Sequence, residues 1–316
     1  MSQAHIILLA VFPVFCITGA GILLRKTNCL SEEADQSLLR VTINLLAPCL
    51  AFDSILHNDA LRHFGNIALP PLIGFATVAI GIGLSLLCRR LAGALTPKQA
   101  ATFAVSAGLY NYTYLPIPLA QALFDRETVG VLFVFNVGVD ISLWTLVLMM
   151  LSGGSIGRDW KRMFNVPVVS ILVSLALNFF GADRYIPDPV MKTAKILGQC
   201  AVPMGVILVG AIMADHAGGF RSASGWRMII AGCFLRLGLL PLLMVLLAWC
   251  LPCSVELKRI LILQGAMPTA VFTIVMSKHY SGDPLTALRL VIGTSVAALV
   301  TIPLWLRFGF WVIGQH

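Results

Sequence analysis

Gly108-Leu-Tyr-Asn-Tyr-Thr-Tyr-Leu-Pro-Ile-Pro118 lies inside residues 99–124, a stretch bare of Asp, Glu, Lys and Arg. Such a stretch is long enough to cross a bilayer, which takes ~20 apolar residues. Two prolines two residues apart cannot both continue a regular helix, because each lacks an N–H and clashes with the preceding turn. A break is therefore expected between Asn111 and Pro116. Gln264-Gly-Ala-Met-Pro268-Thr-Ala270 repeats the situation within residues 256–279 and predicts a second break at mid-depth. Unpaired backbone in hydrocarbon survives only where protein or a water-filled cavity surrounds it, so two such breaks point to one shared site. The half-helices that restart there, behind Pro116 and Pro118 and behind Pro268, would each present ~+0.5 of dipole charge and free N–H donors, which favours a carboxylate.

The rest of the chain fits that reading. Of 316 residues 58% are apolar and 11% charged, about half the charged share of a soluble domain, which excludes a soluble globular enzyme. Charged clusters separate ten apolar stretches: 5–24, 37–57, 66–88, 99–124, 129–151, 165–181, 189–213, 226–250, 256–279 and 284–313. The first lacks a basic leader and runs into Arg25-Lys26, so it reads as a retained helix. Residues 152–164 divide the spans into five and five: a first repeat at 1–151, a connecting loop, and a second repeat at 165–316.

The halves resemble each other at an offset near 155: Phe12-Pro13-Val14 with Val166-Pro167-Val168, Ala47-Pro48 with Val202-Pro203, and Pro116 with Pro268. An odd number of spans per half forces the second copy to enter the membrane in the opposite direction, the inverted-repeat plan of secondary transporters. The expected fold is an all-α polytopic membrane protein of ten transmembrane helices. Placing the N-terminus outside puts Arg25, Lys26, Arg89, Arg90, Lys98, Arg158, Lys161, Arg162, Arg221, Arg227 and Lys278 near cytoplasmic ends. Arg62, Arg126, Arg184, Lys258, Arg259 and Arg307 then fall near outer ends. That excess of basic residues predicts both termini outside a plasma (inner) membrane. The net charge of +8 thus belongs to topology, and no basic stripe with interleaved aromatics points to nucleic acid.

At these segments the sequence resembles the auxin efflux carrier family, which includes plant auxin carriers and bacterial malate-permease-like proteins. The likeness covers essentially the whole chain. It is carried by Ile43-Asn-Leu-Leu-Ala-Pro48 with Asn58-Asp59, Leu109-Tyr-Asn111 with Ile117-Pro118, Arg236 with Pro241, and Gln264-Gly-Ala-Met-Pro268 with Lys278-His-Tyr280. The resemblance implies helices 4 and 9 crossing at proline breaks, carriage of organic anions, and a polar side chain at Asn111 near the substrate carboxylate. It also matches Asp59 to an acidic residue that supports the outer side of the site in plant members. This chain differs in lacking a long central hydrophilic loop and in having Tyr110 where a proline precedes the asparagine. Auxin itself is not the expected substrate.

Asn111, Tyr112, Gln264 and Thr269 flank the breaks and are expected at the substrate. Asn44 and Gln199, each preceding a repeat-related proline, either join them or bridge helices, as Asn178 is expected to do. Asp140 lies mid-span with Asn136 one turn earlier on the same face, and a carboxylate at that depth is a candidate for binding a coupling proton. The competing reading pairs Asp140 with Arg236. Asp53 and Asp59 lie nearer the outer end as further coupling candidates. The six histidines fall at span ends without metal-ligand spacing, and no cofactor motif appears. Cys250-Leu-Pro-Cys253 is read as small apolar side chains, with an outer-face disulfide as the alternative. The expected function is secondary active transport of small carboxylates such as malate, coupled to protons or membrane potential. A sodium-coupled carrier like the bile-acid symporters, or a cation/proton antiporter, is the alternative. The expected partners are the lipid bilayer, a small organic anion, a proton and, in one reading, a second copy of the chain.

Overall fold

Six helices begin where the sequence offers a side-chain oxygen to the exposed N–H groups of a first turn. Ser31, Asp125, Asn165, Ser254 and Asp283 each accept such a bond, and Thr96 does so in a capping box with Gln99. The structure, a computed structural model, describes residues 3–152, 164–216 and 225–314, so nearly all of the expected 152–164 loop lies outside the described residues. The described chain is helical. Its main segments are α1 (Gln3–Lys26), α2 (Glu32–Ile55), α3 (Phe64–Leu87), α4 (Pro97–Gly108), α5 (Pro116–Leu123), α6 (Arg126–Leu151), α7 (Val166–Phe179), α8 (Asp188–His216), α9 (Trp226–Cys250), α10 (Val255–Ala266), α11 (Phe272–His279) and α12 (Pro284–Val312). Five-residue π turns widen α2 at Thr42–Leu46, α6 at Leu143–Val147 and α9 at Leu235–Leu239.

Seven helices, α1, α2, α3, α6, α8, α9 and α12, are long and apolar enough to cross a membrane. Large apolar side chains such as Phe12, Leu72, Trp249 and Val300 stand exposed on them, as lipid-facing residues would. The other apolar stretches are the 14-residue α7, about 21 Å long, and two interrupted pairs. Those pairs are alike: α4 and α10 have 12 residues each, α5 and α11 have 8 each.

Two pairs of helix starts share one spacing. Pro97 and Val255 open α4 and α10, and the caps Asp125 and Asp283 precede α6 and α12, so each pair is 158 residues apart rather than 155. Pro116 and Pro268 consequently do not occupy one position. Pro116 opens α5, where its preset φ suits a first helical residue. Pro268 lies inside the second break, where its missing N–H costs nothing and its carbonyl remains free to accept.

Packing divides the helices into two groups. α1 runs along α8, and α2 along both α8 and α7; α3 packs on α4 and α6, while α12 packs on α4, α9, α10 and α11. Small residues set the closest approaches. A Cβ on Gly138 of α6 would collide with the carbonyl oxygen of Pro71 in α3, and one on Gly210 of α8 with that of Thr18 in α1. Charge locks both ends of the first group. Arg25 pairs with Asp35 and, at 2.8 Å, with Asp215; at the opposite end Asp183 lies 3.9 Å from His57 Nε2 and 3.5 Å from Arg62. The numbers 25 and 183, and 57 and 215, again differ by 158.

Candidate functional site

The two breaks meet. The Asn111 N–H donates to the Pro268 carbonyl at 2.7 Å and the Ala270 N–H to the Leu109 carbonyl at 3.1 Å, which makes Tyr110 and Thr269 a two-residue antiparallel bridge. Backbone freed from one helix thereby satisfies backbone freed from the other, the condition for irregular chain away from water. The Thr269 N–H donates to Thr294 Oγ1 at 3.1 Å, tying the crossing to α12.

Around this crossing the polar side chains converge. Asn136 Nδ2 and Gln264 Nε2 both donate to the Tyr112 carbonyl, at 2.8 and 3.2 Å, and Gln264 Nε2 also reaches Asn136 Oδ1 at 3.0 Å. The Tyr112 hydroxyl donates to Asp140 Oδ1 at 2.7 Å. Asn111 Oδ1 accepts the Tyr114 N–H at 3.1 Å, holding the turn that leads into α5. Tyr110 has its hydroxyl 2.9 Å from Thr77 Oγ1; since Thr77 donates to the Gly74 carbonyl, Tyr110 is the donor of this contact. Gln264 Oε1 and Thr269 Oγ1 are buried without a hydrogen-bond partner, so acceptor and hydroxyl capacity is left over at the crossing.

Of the sequence candidates, Asn111, Tyr112, Gln264, Thr269, Asn136 and Asp140 come together here. Asn44 and Gln199 do not. Asn44 is exposed and donates back to the Arg40 carbonyl at 3.0 Å, and Gln199 lies on an exposed face of α8. Asp53 faces Arg126 at 3.6 Å near an end of α2. Asp59 has an 85% exposed side chain beside Arg62, on the rim of a 570 Å³ cavity also lined by His63, Asn66, Glu127 and Glu256. Asn178 ties α7 to the connection that follows α2 and not to another helix, its Nδ2 donating to the Asn58 carbonyl at 2.9 Å and its Oδ1 accepting the Asn58 N–H at 3.2 Å.

Two expectations are corrected. The N-terminus of α5 offers no ready cradle of donors: Pro116 and Pro118 have no N–H, and those of Ile117 and Leu119 point to the Thr113 and Leu115 carbonyls. Asp140 and Arg236 are not partners. Arg236 instead donates to the Gly265 carbonyl at 2.9 Å, where a cation suits the C-terminal end of α10, and its guanidinium carbon stands 5.0 Å from the Tyr110 ring centre. Sequence reading missed Thr77 and Thr294. Each is one hydroxyl among many in apolar helices, with no proline or charge nearby to mark it. Cys250 and Cys253 are both free thiols. Among the described residues no group of His, Cys, Asp and Glu is placed to hold a metal ion.

The sequence profile of the membrane transport protein family matches residues 6–159 and 155–306. The chain is 24% identical to an uncharacterized transporter of Methanothermobacter thermautotrophicus over 298 residues, covering 93% of this chain and 96% of that one. It is 21% identical over 311 residues to the uncharacterized transporter YfdV of Escherichia coli, covering 93% and 95%. Auxin efflux carrier component 8 of Arabidopsis thaliana is 28% identical over 158 residues, which is 48% of this chain and 41% of the plant protein. With both halves matched and helices fit to cross a membrane, the chain belongs to the membrane transport protein family, that of the auxin efflux carriers.

Proposed function

We propose that this protein is a secondary active carrier of small organic anions, carboxylates such as malate, that binds its substrate at the helix crossing and couples the movement to protons through Asp140. The observation that carries the reading is the shared network of Tyr112, Asn136, Gln264 and Asp140 at the junction of two broken helices. It joins a half-buried carboxylate to the place where the helix ends and the unused polar atoms of Gln264 and Thr269 collect. Ten membrane passes in two inverted halves, with both termini outside the plasma membrane, complete the proposal. The equal lengths of the interrupted pairs and the constant separation of 158 support the inverted halves. The two packing groups supply bodies that rock or slide past each other for alternating access.

The sodium-coupled alternative needs several oxygen ligands about one ion. Among the described residues Asp140 is the carboxylate that bonds into the crossing, and it is engaged by Tyr112. Uptake of labelled mono- and dicarboxylates into proteoliposomes, with pH, sodium and voltage gradients imposed one at a time, tests the proposal. Accumulation driven by an inward proton gradient is the expected result. Accumulation that follows sodium alone would replace the proton with the alternative ion.

A further inference from the structure

Arg236 is a cation without an anion. It sits in the π turn of α9 with 1% of its surface exposed, its Nε has no acceptor, and no carboxylate among the described residues forms an ion pair with it. The C-terminal end of α10 and the Tyr110 ring ease its burial but leave its formal charge at one. Burial of a lone charge is costly, and is retained where something completes it. Gly265, whose carbonyl receives Arg236, follows Gln264, which bonds to Tyr112 and Asn136; Tyr112 in turn bonds to Asp140. The buried cation and the half-buried carboxylate therefore flank the same helix crossing, with no hydrogen bond joining one to the other. Tyr112 and Tyr114 are the titratable side chains facing Asp140, and Tyr110 is the one facing Arg236. Among the described residues no Lys, Arg, Asp or Glu of the helices packed on α6 and α9 forms an ion pair with either.

We propose that Arg236 is the fixed positive charge that receives the substrate carboxylate, and that Arg236 and Asp140 together keep the carrier neutral in both its empty and its loaded form. The inference rests on the carboxylate-carrier reading and names its substrate class. When the carrier is empty, ionised Asp140 balances Arg236. When it is loaded, Asp140 holds a proton and the substrate monoanion balances Arg236. One proton and one monoanion cross together and no net charge moves. A dianion would leave the loaded form at minus one, so a dicarboxylate travels only as its singly protonated form.

The test uses the full-length protein in liposomes with labelled acetate, L-lactate, succinate and L-malate under an inward proton gradient. Potassium and valinomycin clamp the potential at zero or at about 100 mV, negative inside. Accumulation of the transported acid should change by less than about twofold between the clamps, whereas movement of one net charge would change it about fifty-fold. Asp140→Asn should retain counterflow and lose net accumulation, because its empty form is left with a charge of plus one. Arg236→Gln should lose counterflow by about tenfold or more, with Arg236→Lys recovering part of it. The clamp experiment on the unmodified protein stands even if Arg236→Gln fails to fold. Accumulation that follows the potential would overturn the charge balance and leave the carboxylate carrier standing. Counterflow in Arg236→Gln equal to the unmodified protein would overturn the role of Arg236. Uptake of none of the four acids would overturn the carrier reading and this inference with it.

Discussion

At the scale of single residues, Asn111 divides its side chain between structure and ligand. Oδ1 is taken by the Tyr114 N–H, while among the described residues Nδ2 has no protein acceptor. A 4% exposed amide with an unused donor beside a helix break is suited to a carboxylate. Asn111→Ala is expected to weaken substrate binding by ~1 to 3 kcal/mol, the usual loss when a charged acceptor is deprived of a donor. Folding should persist, because the crossing is held by the backbone of Asn111 rather than by its side chain. The apparent affinity for a verified carboxylate in proteoliposomes checks this, and an unchanged value would remove Asn111 from the site. Asn44 shows the limit of reading single residues. Its place before Pro48 suggested the centre, but position along a helix does not say which face a side chain occupies, and the π turn rotates the faces further.

At the scale of elements, caps decide where helices begin, and Asp125 does so for α6. Its Oδ1 accepts the Thr128 N–H at 2.8 Å and the Thr128 hydroxyl at 2.7 Å, and its Oδ2 meets Arg259 of α10 at 2.7 Å. Burial alone would raise the Asp125 carboxyl, but the Thr128 bonds and the Arg259 guanidinium outweigh it and hold the group below its ordinary value. A carboxyl lowered in the folded protein stabilises the fold above the ordinary carboxylate range, and that contribution fades as pH falls through the folded-state value. Thermal unfolding in detergent should therefore show a stability loss below about pH 4 that is smaller in Asp125→Asn, which cannot titrate. An identical acid profile for both proteins would exclude Asp125 as a source of the pH dependence. The interrupted helices were legible because proline chemistry is local. That Pro116 begins a helix while Pro268 lies between two was not, since both roles are open to a residue with fixed φ and no N–H.

At the scale of the molecule, the ends of the helices sort the charges. Arg227 donates to the Leu91 carbonyl at 3.0 Å, which brings the start of α9 to the Arg89–Ala92 turn, whereas Arg126 and Arg259 meet Asp53 and Asp125 at the other end. The excess of basic residues on the Arg89 side predicts that this side faces the cytoplasm. Cysteines introduced between residues 93 and 96, after removal of the native ones, should be shielded from an impermeant thiol reagent in intact cells, while one at Asp59 should react. The reverse labelling pattern would invert the topology.

By itself the sequence determined that the chain is a membrane protein, where its helices lie and where two of them break. Those properties depend on composition, the length of apolar runs and the chemistry of proline, all of which act over one or two turns. The approach of Tyr110 to Thr269 and the linkage of Asp140 to Tyr112 instead join residues far apart in the chain. So does the meeting of Arg236 with Gly265. Such contacts depend on which faces of which helices meet, and close approaches such as Gly138 on Pro71 set that. Only the tertiary structure therefore decided that Asp140 and Arg236, both near the middle of their helices, stand at one crossing with separate partners and are not a pair.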